Sequence, residues 1–357
     1  MKIGFLKKSE LKKLFSFYCS IYPSRHVLLR REFFDWYAGK NPRIIVVQEK
    51  NKIVGQLILQ PSVFNYYGRK FTFVWASNWI MRPEFRSKGL AGFFVKFLKK
   101  QRFDFFAANM VTAEVKKIMT YLGFKYKDLN RYLAVLKEDA ISLARHHQVP
   151  RVKKRIKEAL IKNIGPATGG IRKVNSFGAD YDDFWRESFA PKTLGSSRSS
   201  KFLNWRYGRE PFLKYEKFLF LDKKDEIRGV AVLRIENIRN TKLRACRVVE
   251  FFTEEKLVPG AINFMLNYAR EKHCAFLDFY NLYAGFDKQF KAAGVLKNDP
   301  VLATEIPRLT QPVAHENWFV NAVFFAGTGR VKEKDFLNFK NWYTTSGDAD
   351  QDRKNFL

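Results

Sequence analysis

The stretch that most constrains this chain is Trp79–Ala91, where a strand stops at a proline and a helix begins a few residues later. Pro83 ends the strand because it has no backbone N–H to donate to a sheet. The helix begins at Gly89, so the unpaired N–H groups and the dipole of its first turn face the end of the strand. Gly89 lets the backbone approach a ligand, while Arg86 and Lys88 supply positive charge. The stretch therefore predicts a binding site for an anion such as a pyrophosphate.

The segments around this stretch predict an α/β (α+β) chain in which one order of elements occurs twice. Antiparallel strands, a helix, a strand, a helix and a strand are predicted over residues 44–136 and again over residues 218–325. We predict separate strands at Ile53–Leu59 and Val63–Tyr66, and we expect Tyr132–Leu136 to close the first unit. Trp318–Phe325 is predicted as the late strand. The two sets share little sequence, so the repeat is one of structure.

The length of 357 residues and the hydrophobic fraction of 46% suit two domains of ordinary size. We expect a first domain over residues 1–140 and a second over residues 176–357. Residues 141–175 are predicted to be a basic helical connection between them.

The formal net charge of +30 means that the surface attracts polyanions of several kinds. The charge is spread along the chain, and its densest stretch, Arg151–Lys162, is predicted as a solvated helix face with no specific nucleic-acid role. The cysteines Cys19, Cys246 and Cys274 lie far apart, which indicates free thiols in a reducing compartment. With no signal peptide and no run of about 20 apolar residues, we expect a cytoplasmic protein without a membrane span.

A bound metal is not expected. Asp348, Asp350 and Asp352 are spaced like the start of a calcium loop, but Arg353 stands at the position of the loop glycine. The histidines stand alone or, at His146 and His147, in a basic segment without carboxylate partners.

Three residues of the anion loop, Arg86, Gly89 and Ala91, match the pattern of the GCN5-related N-acetyltransferase (GNAT) superfamily. That pattern is Arg or Gln, two residues, Gly, one residue, and Gly or Ala. The later Tyr121–Phe124 resembles the Leu-Gly-Phe turn that closes the family's last helix, so the likeness covers roughly residues 40–136. The resemblance implies two GNAT-like domains, each a mixed, mostly antiparallel twisted sheet flanked by helices.

The resemblance also implies an acetyl-CoA, or another short acyl-CoA, as co-substrate. Backbone N–H groups of Ile80 and Met81 would hold the thioester, and an amine would attack it directly without a covalent enzyme intermediate. Residues expected to contact the acyl-CoA are Met81, Arg86, Ser87, Lys88, Gly89, Leu90, Ala91, Gly92, Asn109 and Met119.

The chain departs from the family at two catalytic positions. Met119 stands where many members carry a tyrosine that protonates the leaving thiolate, and Trp75–Asn78 lacks the carboxylate that often serves as base. We expect Ser77 and Asn78 to position the amine or a relay water, so that catalysis rests mainly on positioning. An isolated histidine, His26, His273 or His315, stays open as the missing base.

The second half carries the acids Glu254 and Glu255 in the loop that corresponds to the anion site, so we expect it to shape the acceptor site without binding CoA. The runs Phe202–Tyr207 and Thr345–Arg353 resemble tandem-GNAT proteins of bacterial surface-polysaccharide pathways, such as those of lipopolysaccharide and O-antigen. This resemblance implies an acceptor amine on a dTDP- or UDP-linked amino sugar. Residues expected to contact it are Trp79, Trp205, Arg206 and Tyr207, although helix packing is the alternative role for the last three.

Two other functions stay open. A Fem-like aminoacyl transferase also pairs two GNAT-type domains, but its donor is an aminoacyl-tRNA, which would not require the loop Arg86–Ala91. A nucleic-acid-binding protein without enzymatic activity would fit the charge, yet no helix-turn-helix, zinc or RNA-binding pattern accompanies it.

Overall fold

The structure is a computed structural model that describes residues 1–39, 41–86, 90–101, 103–308, 320–327, 329–349 and 352–354. Its strands are β1 (Lys2–Phe5), β2 (Arg43–Glu49), β3 (Lys52–Tyr66), β4 (Arg69–Met81), β5 (Phe105–Asn109), β6 (Lys125–Asp128), β7 (Asn130–Val135), β8 (Gly170–Val174), β9 (Leu194–Ser196), β10 (Glu216–Leu221), β11 (Ile227–Asn237), β12 (Arg244–Thr253), β13 (Cys274–Asn281), β14 (Leu296–Lys297), β15 (Asn321–Ala326) and β16 (Trp342–Tyr343). Its helices are α1 (Leu11–Ile21), α2 (Arg31–Ala38), α3 (Leu90–Lys99), α4 (Ala113–Tyr121), α5 (Pro150–Ala159), α6 (Ala179–Phe184), α7 (Ser200–Gly208), α8 (Val258–Glu271), α9 (Asp287–Ala292), α10 (Leu302–Glu305) and α11 (Glu333–Phe336).

Within the described residues, the strands form two mixed sheets. The first has the order β1-β2-β3-β4-β5-β15-β6, and β9 joins it by pairing with β3 and β16. The second has the order β14-β7-β13-β12-β11-β10-β8. Most neighbours are antiparallel, whereas β4–β5, β12–β13 and the short β9–β16 pair are parallel. The predicted α/β class with two mixed, helix-flanked sheets is confirmed.

Each sheet has a strand from the other half of the chain inserted between two of its own strands. β15 lies between β5 and β6 in the first sheet, and β7 lies between β13 and β14 in the second. The expectation that Tyr132–Leu136 closes the first unit is therefore wrong, because β7 pairs with β13 over six residue pairs. Strand periodicity identifies a strand but not its partner, and only the tertiary fold shows this exchange. The predicted division at residues 140 and 175 stays a prediction.

Helices cover both faces of the first sheet because its strands alternate buried side chains between the two faces. Phe94 of α3 and Met119 of α4 pack in an apolar cluster on one face. Leu14 and Phe17 of α1 pack with Phe33 of α2 in a cluster on the other. The second sheet is covered in the same way, by α8 on one face and by α5 and α10 on the other.

Strand β3 is continuous through Pro61, which corrects the prediction of two separate strands at Ile53–Leu59 and Val63–Tyr66. Along one edge of β3, the pairing with β2 ends at Leu59 and the pairing with β9 begins at Phe64. Pro61 lies between these two stretches, so its missing N–H costs no sheet hydrogen bond on that edge. The interruption leaves space beside the middle of β3.

Buried ion pairs fix the segment of residues 342–349 and 352–354, which we call the late segment. Arg198 pairs with Asp348 at 2.6 Å and with Glu250 of β12 at 2.9 Å, and all three side chains are fully buried. Arg234 pairs with Asp352 at 2.6 Å. Because removal of one partner would leave an uncompensated buried charge, these pairs determine where the late segment lies.

Candidate functional site

The parallel strands β4 and β5 separate at their carboxyl ends. They pair as far as Ala76 and Ala108, after which β5 ends at Asn109 and β4 continues to Met81. Among the described residues, β4 beyond Ala76 pairs with β3 alone. One edge of Ser77–Met81 therefore faces a gap on the side where the chain enters α3.

A bulge in β4 lies at the start of this gap. Asn78 and Trp79 together oppose the single residue Leu57 of β3, and Asn78 has a positive φ of 49°. Asparagine tolerates this conformation better than most residues. The amide Nε2 of buried Gln56 donates to the Asn78 carbonyl at 2.5 Å, which gives that carbonyl a partner inside the bulge. A bulge bends its strand, so it directs the end of β4 away from β5.

The end of β4 presents one backbone N–H to the gap. The Arg82 N–H donates to the Val54 carbonyl at 2.9 Å, and the direction of backbone groups alternates along a strand. The Ile80 N–H is thus turned toward β3, whereas the N–H and carbonyl of Met81 face the gap. Arg86 Nε donates to that carbonyl at 3.2 Å. Of the two backbone donors predicted for the thioester, this geometry favours Met81 and turns Ile80 away.

The predicted anion loop is described only at its two ends. Arg86 is exposed beside the end of β4, and Ser87, Lys88 and Gly89 lie outside the described residues. Leu90 and Ala91 are the first two residues of α3. Among the described residues outside its own helix, a Cβ atom placed on Gly92 would meet no heavy atom within 4 Å, so this part of the first turn of α3 is open toward them.

Ser77 and Asn78 receive hydrogen bonds from two different parts of the chain. The Tyr37 hydroxyl of α2 donates to Ser77 Oγ at 2.6 Å, and Ser77 is 6% exposed. Arg353 Nη1 of the late segment donates to Asn78 Oδ1 at 2.7 Å. Of the two residues predicted to position the amine, Ser77 is therefore held by α2 of the first half and Asn78 by the late segment.

His26, one of the isolated candidate bases, lies in the turn before α2. Its Nδ1 accepts from the Leu28 N–H at 3.3 Å, and its ring stacks on Tyr22 with 3.8 Å between ring centres. Burial and the positive charge of Arg353 lower the pKa of His26 to about 3. The imidazole is neutral at pH 7 and is a weak base. Among the other candidates, His273 follows α8 and His315 lies outside the described residues.

Asn109 and Met119, both predicted to contact the acyl-CoA, differ in their surroundings. Asn109 ends β5 at the gap, where its Nδ2 donates to the Asp348 carbonyl at 3.4 Å. Its buried Oδ1 has no hydrogen-bond partner among the described residues. Met119 is 1% exposed in the core beneath α4, while Tyr121 is 89% exposed and directed elsewhere. Asn109 thus offers an acceptor at the gap, and contact between Met119 and a ligand stays a prediction.

The four residues predicted to contact the acceptor have different surroundings. Trp79 packs on Phe94 of α3, with 5.7 Å between ring centres. Arg206 is 1% exposed, and the hydroxyl of buried Tyr207 donates to Glu250 at 2.8 Å. These contacts favour the packing role for Arg206 and Tyr207, and their contact with an acceptor stays a prediction that their burial does not support. Trp205, in contrast, borders a cavity.

This cavity, which we call the indole pocket, has a volume of about 230 Å³ and lies beside the middle of β3. Its lining comes from Trp36–Gly39, Gln60–Ser62 of β3, Trp75 of β4, Phe202 and Trp205 of α7, and Gly347 and Ala349 of the late segment. It occupies the space beside β3 where β2 has ended and β9 has not begun. Both halves of the chain contribute to its walls.

The pair Trp36 and Trp205 forms one wall of the indole pocket. The rings lie 5.0 Å apart and 16° from parallel. Trp36 Nε1 donates to the Trp205 carbonyl at 3.1 Å, and Trp205 Nε1 donates to the Trp36 carbonyl at 3.4 Å. Because each indole N–H is satisfied by the other residue, both rings are held in one orientation.

In the second half, the chain itself fills the gap that is open in the first. β12 and β13 pair in parallel as far as Val248 and Phe279 and then separate. The late segment lies between them. The Tyr343 hydroxyl donates to Glu250 of β12 at 2.9 Å and accepts from the Phe251 N–H at 3.0 Å, and the Leu282 N–H, just after β13, donates to the Thr344 carbonyl at 3.2 Å. These contacts occupy the position that corresponds to the gap beside β4.

The start of α8, which corresponds to the start of α3, is also covered. Asn263 and Asn267 of α8 donate to the carbonyls of Pro166 and Gly165, each at 3.1 Å. A Cβ atom on Gly260 would lie 2.0 Å from Thr168 Oγ1. Residues 165–168 therefore pack directly on the first turns of α8, in addition to the two acids noted in the sequence.

The described part of the chain contains no group of three or more His, Cys, Asp or Glu side chains placed to hold a metal ion. None of its described helices combines the length and the apolar character that a membrane crossing requires.

Sequence reasoning missed most of the indole pocket. Trp36 and Tyr37 lie on a helix that carried no recognised motif, and Trp36 meets Trp205 across 169 positions of the chain. Gln60 and Ser62 flank Pro61, which suggested a break between strands. The one usable signal was the Phe202–Tyr207 run, which contains two of the pocket's aromatic residues.

Comparison with known proteins yields likenesses of structure. No family model matches the sequence, and no curated protein matches it. A protein of Enterococcus faecalis V583 described as a probable N-acyltransferase has a TM-score of 0.62 at 12% identity, over 94% of this chain and 74% of that one. A GCN5-related N-acetyltransferase of Anabaena variabilis has a TM-score of 0.58 at 12% identity, over 92% and 73%.

The N-myristoyltransferase of Saccharomyces cerevisiae, solved with bound myristoyl-CoA, has a TM-score of 0.53 at 12% identity. The alignment spans 91% of this chain and 79% of that one. At such identities the likeness concerns the fold. Over most of its length, this chain has the GNAT fold that these acyltransferases share.

Proposed function

We propose that this chain is an acyl-CoA-dependent N-acyltransferase that transfers an acetyl or other short acyl group to the amine of a nucleotide-linked amino sugar. The observation that carries the proposal is the gap between β4 and β5. It opens beside the start of α3, and the corresponding gap in the second half is filled by Tyr343. We propose that the second half shapes the acceptor site and binds no CoA.

The residues around the gap fit an acyl-CoA. The Met81 N–H faces the gap and suits a carbonyl of the donor, while the buried Oδ1 of Asn109 suits an amide N–H of a pantetheine arm. Gly92 and the open first turn of α3 suit a pyrophosphate, with Arg86 adding charge beside it. Ser87, Lys88 and Gly89 would complete this anion site. The yeast structure with bound myristoyl-CoA supports a donor of this class.

The proposed acceptor rests on the resemblance of Phe202–Tyr207 and Thr345–Arg353 to tandem-GNAT proteins of surface-polysaccharide pathways. Two contacts of these runs near β4 support it: Arg353 donates to Asn78 of β4, and Trp205 borders the indole pocket beside β3 and β4. A net charge of +30 suits two anionic substrates. We propose a dTDP- or UDP-linked amino sugar, a role in lipopolysaccharide or O-antigen synthesis, and a cytoplasmic location.

The proposed reaction is a single direct displacement. The amine nitrogen forms a bond to the thioester carbonyl carbon, the carbon–sulfur bond breaks, and the thiolate takes up a proton while the amine loses one to water. The Met81 N–H stabilises the negative charge that develops on the carbonyl oxygen. Ser77 and Asn78, held by Tyr37 and Arg353, orient the amine or a relay water.

The donor site is tested by a pair of variants at Gly92. Gly92→Glu places a carboxylate in the first turn of α3, and Gly92→Gln places a neutral side chain of equal size there. Neither meets a steric obstacle at the Cβ position, and both residues favour a helix more than glycine does. Repulsion between the carboxylate and a pyrophosphate is expected to weaken acetyl-CoA binding about tenfold to a hundredfold in Gly92→Glu relative to Gly92→Gln.

Acetyl-CoA affinity is measured by calorimetry, and folding is checked by thermal melting of both variants. Equal affinity of the two would place the pyrophosphate elsewhere. Turnover is then followed as thiol release with a panel of nucleotide-linked amino sugars. A protein that does not bind acyl-CoA but transfers an aminoacyl group from tRNA would be the Fem-like enzyme instead. Selective nucleic-acid binding at physiological salt would favour the protein without enzymatic activity.

A further inference from the structure

We infer that the indole pocket receives the sugar ring of the acceptor and restricts it to one uncharged ring. The inference rests on the proposed function, and it adds a location and a specificity to the acceptor. The indole pocket is separate from the gap beside β4, and the two are connected through Tyr37, which lines the pocket and donates to Ser77.

The position of the indole pocket places it on the acceptor side of the sheet. Side chains alternate along a strand, so Trp75 and Ser77 of β4 lie on one face, and Gln60 and Ser62 of β3 lie on the same face. This face carries α1 and α2, whereas α3 lies on the opposite face. A ring in the pocket is thus approached from the side opposite α3, and its amine is directed along Tyr37 toward Ser77.

The chemistry of the lining suits a sugar. The indole rings of Trp36, Trp75 and Trp205 contribute apolar surface to the lining for the C–H groups of a ring. The Gln60 amide and Ser62 hydroxyl provide polar partners for its hydroxyl groups. The volume of about 230 Å³ lies below the roughly 300 Å³ at which pockets for drug-sized ligands begin. One ring with its substituents therefore fits, and the nucleotide diphosphate must remain outside.

The charge of the lining provides the specificity. None of the described residues that line the indole pocket carries a charged side chain. A carboxylate on the ring, as in an amino-uronic acid, would lose much of its hydration without gaining a cationic partner from these residues. A neutral amino sugar avoids this cost. The mutual hydrogen bonds of Trp36 and Trp205 hold this wall of the pocket in place before the sugar binds. Binding therefore costs little side-chain entropy at these two residues.

The test fills the indole pocket without touching the gap. Ala38, the last residue of α2, lines the pocket, and Ala38→Leu adds bulk to it. The matched control is Ala292→Leu at the last residue of α9, which is exposed. We expect Ala38→Leu to raise the KM for the acceptor at least about tenfold, a loss of ~1.4 kcal/mol, with unchanged acetyl-CoA affinity. Ala292→Leu should match the unmodified protein in both.

A second variant and a second substrate keep the outcome decisive. Trp205→Leu removes one indole face without adding bulk, and it should also raise the KM for the acceptor while leaving acetyl-CoA affinity intact. The unmodified protein should show at least about tenfold lower kcat/KM for a nucleotide-linked amino-uronic acid than for its neutral counterpart.

Three results would overturn the inference. The first is a KM for the acceptor that neither variant changes. The second is a preference for the uronic acceptor. The third is a change in the preferred acyl length in Ala38→Leu while the KM for the acceptor stays constant. The last result would make the indole pocket an acyl site. Each of these leaves acetyl-CoA binding intact, whereas failure of the proposed function would show as no acetyl-CoA binding by the unmodified protein.

Discussion

Arg206→Met should destabilise the protein by about 2–4 kcal/mol, although arginine side chains usually lie on protein surfaces. Its guanidinium is 1% exposed and donates to the carbonyls of Gly347 at 2.7 Å and Asp352 at 2.8 Å. Methionine would leave both carbonyls unsatisfied, at about 1–3 kcal/mol each, and relief of the buried charge offsets part of that cost. The loss is a large share of the 5–15 kcal/mol that typically separates folded from unfolded protein.

The measurement is urea unfolding followed by tryptophan fluorescence, together with the rate at which a protease cleaves within the late segment. Arg209→Met is the matched control, because Arg209 follows α7 and is exposed, so its loss should change stability by less than about 0.5 kcal/mol. Gly347 lines the indole pocket, so Arg206→Met should also raise the KM for the acceptor more than that for acetyl-CoA. Equal stability of the two variants would refute the view that Arg206 holds the late segment in place.

Three further predictions concern pH and backbone. His26 has a folded pKa of about 3 against 6.5 ordinarily, so the unfolded chain binds a proton there that the folded chain does not, and stability rises with pH between these values. Lowering the pH from 7 to 5 should cost about 1 kcal/mol after allowance for solvent screening, and His26→Gln should flatten that slope in urea titrations. Gly195→Ala should destabilise by at least about 2 kcal/mol, since φ is 136° and the new Cβ would lie 2.3 Å from the Tyr343 carbonyl, whereas Gly208→Ala should melt at or above the original temperature. The pH profile of turnover should follow the amine pKa of the acceptor; a midpoint that stays fixed across two sugars would reveal an enzymatic base.

Local patterns were sufficient to predict many of the helices and strands of the fold. Pro83 marks the end of β4, and the helical spacing of Leu14 and Tyr18 in α1 matches the burial of both residues. Pairing was not predictable, because a run such as Asn130–Val135 has the same alternation whichever sheet it joins. The exchange of β7 and β15 depends on contacts between distant segments, which a single sequence does not display.

The same distinction applies to the candidate site. An anion loop can be proposed from sequence alone because its expected function depends on neighbouring residues, from the end of β4 to the start of α3, and it stays a prediction. The indole pocket could not, because Trp36, Gln60, Trp205 and Gly347 come together only after both halves have folded. Arg206 shows a different limit of local patterns: an arginine among aromatic residues suggests a phosphate contact, whereas its hydrogen bonds to two backbone carbonyls favour the packing role.

The late segment explains why two similar halves would have different roles. It fills the gap between β12 and β13 with Tyr343, and from there it reaches the first half, where Arg353 contacts Asn78. The same segment therefore closes one potential donor site and completes the surroundings of the other. Because Gly347 and Ala349 also line the indole pocket, donor gap and pocket depend on a single element. Under the proposed function, a chain built in this way would gain one acceptor site between its halves and give up the second donor site, and neither half alone would supply the complete set of contacts.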